Sequence, residues 1–99
     1  MSYGEHHQSH VRLKILQLLR KSGIPVNHEL LQLALASMSI RLSLDQCKSE
    51  LQFLADVGTV TLMPVGHLIV AEISDKGNDV AKGMSHIPGI DRFVPGSGL

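Results

Sequence analysis

Six histidines, one cysteine and nine carboxylates are the side chains in this 99-residue chain best suited to chemistry, and their spacing lets few of them cooperate. His6, His7 and His10 form the one metal-like cluster, and a helix reaching that far would align His6 with His10, four positions apart. A closed zinc site needs four fixed ligands, and no ligand of another type lies nearby, so a polar, flexible N-terminus over residues 1–9 is expected instead, with no metal. His28-Glu29 begins like a zinc-protease motif, but position 32 is Gln32 where a second histidine is required. Asp75 and Asp79 are four apart, yet Asp75 at the start of a helix is explained by the helix dipole alone. With no glycine-rich phosphate loop and no Gly-x-Ser-x-Gly, the chain reads as a non-enzyme without a cofactor.

The elements that hold these residues follow from hydrophobic spacing. Val11, Ile15, Leu18 and Leu19 make one stripe of a helix from about His10 to Lys21, and Leu13 and Leu16 widen it. A face that wide suits deep burial or a second subunit, so Val11, Leu13 and Leu16 are expected at a homodimer interface. Ser22-Gly23-Ile24-Pro25 stops this helix. Asn27 caps a second one, with Glu29 near its positive end and Leu30, Leu31, Leu33, Ala34 and Leu35 as its buried surface, ending near Ser37. After a short connection, Ser43 and Gln46 form a capping-box pattern at the start of a third helix. Leu44, Cys47, Leu51 and Leu54 recur on one of its faces, and Gly58 ends it. Cys47 on that apolar face reads as a small buried hydrophobe.

Beyond Gly58 the pattern becomes β-prone. Thr59 to Met63 and Leu68 to Ile73 flank a turn at Pro64-Val65-Gly66-His67, which makes a hairpin. Ser74 caps a last short helix from Asp75 to Lys82, with Gly83 just beyond. Residues 84–99 contain Pro88, Pro95, Gly89, Gly96 and Gly98 and read as an arm in which Ile87, Ile90, Phe93 and Val94 can pack on the domain, with a loose end.

Composition bounds these expectations. With 43% hydrophobic and 18% charged residues the chain can bury one core, and with 3% aromatics that core must be aliphatic. A lone cysteine excludes an intrachain disulfide and fits a reducing compartment; no run is long and apolar enough to cross a membrane, and no signal peptide is evident, so a cytoplasmic protein without a membrane role is expected.

Three helices, a hairpin and a short helix give a mainly α fold with a two-stranded wing, the order of a winged helix-turn-helix. The stretch from Ser43-Leu44-Asp45-Gln46 through Leu51-Gln52-Phe53-Leu54-Ala55-Asp56-Val57-Gly58-Thr59-Val60 resembles the reading helix running into the wing in many bacterial regulators. Glu72-Ile73-Ser74-Asp75-Lys76-Gly77-Asn78-Asp79-Val80-Ala81 resembles their strand-to-helix junction. Over residues 10–83 the chain is similar to arsenical-repressor-type regulators and to small winged-helix proteins of Mu-like phages, some of which carry a tail segment like Gly89-Ile90-Asp91-Arg92. The metal-sensing members use a cysteine pair on the reading helix; Cys47 stands alone there, so thiolate sensing does not carry over.

The resemblance implies transcription regulation by binding double-stranded DNA, with Arg41, Ser43, Gln46, Lys48, Ser49 and Gln52 near the duplex and Gln46, Ser49 and Gln52 at base edges. Charge argues the other way. Lys and Arg total nine, as do Asp and Glu, giving no net charge. From Ser43 to Val57, Asp45, Glu50 and Asp56 oppose Lys48 alone, and an acidic helix repels phosphate. Arg12, Lys14, Arg20 and Lys21 offer a basic patch on the first helix, although scattered cations commonly mark a solvated face. The competing expectation is a protein-interaction or dimerisation module on the same scaffold.

Overall fold

The computed structural model describes the backbone of residues 2–94 and the side chains from His7 onward. The order is α1 (Ser2–Ser22), β1 (Val26–Asn27), α2 (His28–Ser37), α3 (Leu44–Asp56), β2 (Val60–Val65), β3 (Leu68–Ile73) and α4 (Asp75–Lys82). This is a mainly α protein with a small antiparallel sheet in the order β1-β3-β2, in a winged-helix-like arrangement.

Helix boundaries follow their caps. Asn27 accepts from the Leu30 N–H, Ser43 from Gln46 and Ser74 from Gly77, each satisfying an amide that the helix leaves without a partner. Gly83 closes α4 in the left-handed conformation, at φ 82°. Gly77, inside α4, lies against the strand entry, and a Cβ there would collide with the Thr59 carbonyl oxygen, so the junction admits no larger residue.

Three elements differ from the sequence expectation. Helix α1 starts at Ser2, not near His10, because the added turns have partners: Gln8 Nε2 donates to Glu50 at 3.2 Å, and the Ser9 carbonyl accepts from the Asp91 N–H. The sheet gains a third strand, since Val26 pairs with Ala71 and tucks against the core. Strand β2 runs through Pro64, and the turn shrinks to Gly66-His67, with Gly66 at φ 62°. A two-residue hairpin closes on a hydrogen-bonded pair, here Val65 with Leu68, and alternation then points the backbone nitrogen of Pro64 at the open edge. Proline costs no ladder bond there and denies that edge a donor.

The core joins every helix. Ile15, Leu16, Leu35, Leu51 and Leu54 have no exposed surface, and Val60, Ala71, Val80 and Ile90 complete the cluster. Helix α1 contacts α2, α3, α4 and β3, while the arm after α4 lies along its remaining side. That accounts within one chain for the breadth of its apolar face. Val11, Leu13 and Leu16, expected at a dimer interface, are 1%, 7% and 0% exposed, which corrects that expectation: a second copy cannot touch them without opening the core. Among the described residues no helix is long and apolar enough to cross a membrane.

Candidate nucleic-acid interface

Helix α3 is positioned by its apolar side and by the connection before it. Ile40 is buried, and Gln32 Nε2 donates to the Leu42 carbonyl at 2.9 Å, so the chain between α2 and α3 is held at two points and Arg41 projects outward between them. At 100° per residue, Cys47, Glu50, Leu51 and Leu54 make the inner side of α3, and Asp45, Lys48, Ser49, Gln52 and Asp56 make the outer one. All five outer residues are exposed. Leu44, expected on the inner face, stands partly out at the helix start.

Within the expected reading set the side chains separate into two groups. Ser43 and Gln46 are engaged with each other: the Gln46 N–H donates to Ser43 Oγ at 3.0 Å, and Gln46 Oε1 accepts from the Ser43 N–H at 2.9 Å. These two hold the helix end. Lys48, Ser49 and Gln52 share the outer face; Lys48 and Ser49 have no hydrogen bond among the described residues, and Gln52 Nε2 donates to Asp56 at 2.9 Å, leaving its oxygen open.

Glu50 changes the charge of this face. It is 5% exposed, its Oε1 accepts from Arg12 Nε at 2.6 Å, and its Oε2 accepts from Gln8. The acid counted against phosphate binding is thus turned inward and neutralised, and the outer face is left with Asp45 and Asp56 against Lys48 and the nearby Arg41. The same pairing removes Arg12 from the basic patch on α1. Arg12 also donates to the Gly89 carbonyl at 3.0 Å and lies 3.7 Å over the Phe53 ring. Sequence spacing held a signal for this: Glu50 is three positions after Cys47 and four before Leu54, on the inner side.

A groove of about 430 Å³ runs between the start of α1 and α3, lined in part by Gln8, Asp45, Ser49 and Glu50. Asp45 and Glu50 thus lie on the side of α3 toward α1, and Lys48 lies on the other side, where Gln52 is bonded to Asp56. The hairpin, Val60–Ile73, contains no Lys or Arg. His28, first residue of the incomplete zinc-protease motif, is structural: it is buried, and its Nδ1 accepts the Ile69 N–H at 3.1 Å, which ties α2 to β3. In the histidine-rich segment the side chain of His6 lies outside the described residues. His10 Nδ1 sits 3.9 Å from Asp91, and among the described residues no three His, Cys, Asp or Glu side chains form a metal-holding group.

Comparison of the chain with protein-family models, curated proteins and solved structures finds no match.

Proposed function

We propose that this chain is a non-catalytic DNA-binding domain of the winged-helix type, a transcriptional regulator of the bacterial or phage kind, with the outer face of α3 against a major groove. The observation that carries the reading is the inward burial of Glu50 on Arg12, which leaves an exposed, polar α3 face whose Lys48 and Ser49 side chains have no hydrogen-bond or ion-pair partner among the described residues. Lys48 and Arg41 contact phosphate, while Ser49 and Gln52 reach base edges. Such a domain works beside DNA in a reducing cytoplasm, where Cys47 stays a thiol.

The test is binding of the purified protein to mixed-sequence duplex DNA over a salt series. Affinity is expected to fall as salt rises, and Lys48→Ala to flatten the dependence by about one phosphate contact. No binding at low salt overturns the reading. One observation favours the alternative, a protein-interaction module: α2 has no cation and presents Leu30 and Leu33, 54% and 64% exposed, where a phosphate-contacting helix needs polar groups. Absence of DNA binding with retained folding moves the function to that face.

A further inference from the structure

The solvent face of the hairpin is apolar, which neither DNA contact nor the core explains. Strand alternation puts Leu62 and Ala71 inward, against the core, and Met63, Val65, Leu68 and Val70 outward as two cross-strand pairs, Met63 with Val70 and Val65 with Leu68. Met63 is 57% and Val65 52% exposed. A hairpin with one solvated face ordinarily turns polar residues outward. On the two hairpin strands polar groups stand on this face only at the ends, while Leu68 and Val70 are half-buried and Asn27 of β1 lies beside Val70. Thr61 and Glu72 pair at the base, where Glu72 and Arg20 line one shallow groove; at the tip, His67 Nε2 lies 3.4 Å from Glu29.

We propose that a second copy of this chain covers the block, in a two-fold, face-to-face dimer with the hairpins antiparallel. The occupant follows from the charged and hydrogen-bonding groups at the two ends. A two-fold axis across the strands, between the two cross-strand pairs, sets the tip of one copy over the base of the other, about 17 Å along the strand. His67 then faces the copy's Glu72, and Glu29 faces its Arg20, each contact made twice. A parallel arrangement instead sets tip over tip and base over base, so that His67 does not meet Glu72 and Glu29 does not meet Arg20. The chain carries no net charge, so two copies do not repel at long range. Pairing through the edge of β2 is disfavoured by Pro64, which leaves the face as the surface for self-association. The four-residue block spans about 7 Å along the strands and about 5 Å across them between Cα atoms, far below the area of a stable dimer, so association is weak and concentration-dependent.

Sedimentation equilibrium without DNA, from about 5 to about 500 µM, tests this independently of DNA binding. A monomer–dimer equilibrium is expected, abolished separately by Val65→Glu and by Met63→Lys, each with an unchanged circular dichroism spectrum. His67→Glu is expected to weaken the dimer about 10-fold through its two symmetric contacts, and Glu72→Lys in the same chain to restore it. A monomer throughout, a dimer indifferent to both apolar-face variants, growth beyond two copies, or a charge pair that is not restored overturns the proposal.

Discussion

Arg12 makes three unlike contacts at once: an ion pair with Glu50, a hydrogen bond to the Gly89 carbonyl and a stack on Phe53. It joins α1, α3 and the arm through a planar group that can satisfy all three, which the point charge of a lysine cannot. The same Glu50 acts on Cys47, whose thiol is fully buried and pushed from its ordinary 9.0 to about 11, first by burial and then by that carboxylate. The unfolded thiol ionises at lower pH than the folded one. The contribution of the neutral thiol is therefore intact below about pH 9 and declines as pH rises toward about 11. Denaturant melts of the native chain and of Cys47→Ala should diverge over that window, the native chain losing more; parallel loss in both would show that Cys47 does not titrate in this way.

At the scale of elements, the two glutamines once grouped as base readers have different tasks. Gln46 holds the start of α3, so Gln46→Ala should cost about 1 kcal/mol of stability and leave any sequence preference intact. Gln52 is exposed and, among the described residues, its side chain is bonded only to Asp56, so Gln52→Ala should leave the melting temperature nearly unchanged and relax the preference at one base pair. Thermal melts and binding to a panel of single-site operator variants check both. A loss of preference in Gln46→Ala alone would return that residue to the reading set. The hairpin is likewise set by small features: Gly66 supplies the positive φ at the first turn position, and Pro64 sits where no ladder bond is required.

For the whole molecule, the arm after α4 is part of the core. Ile90 is 1% exposed, Ile87 and Phe93 pack against the central cluster, and Arg12 and Ser9 bond to the arm backbone. Ile90→Ala should therefore destabilise the protein by about 2–5 kcal/mol, as for any core aliphatic. A urea melt reads it, and a loss under about 0.5 kcal/mol, the size typical of a surface change, would separate the arm from the folded domain. This arrangement also encloses α1, which is why its wide apolar face serves one chain.

Much of this was local and therefore legible without a fold. The caps at Asn27, Ser43 and Ser74 and the stop at Gly83 depend on residues a few positions apart, and the alternation around the hairpin depends on a period of two. From these the helices, the hairpin and their order follow. The third strand, the inward turn of Glu50, the structural task of His28 and the burial of Leu13 depend on groups far apart in the chain: Val26 on Ala71, Glu50 on Arg12, His28 on Ile69, α1 on the arm. Helical spacing sets the side of α3 on which Glu50 lies; only the packing of α1 against α3 brings the guanidinium that lets a carboxylate be buried there.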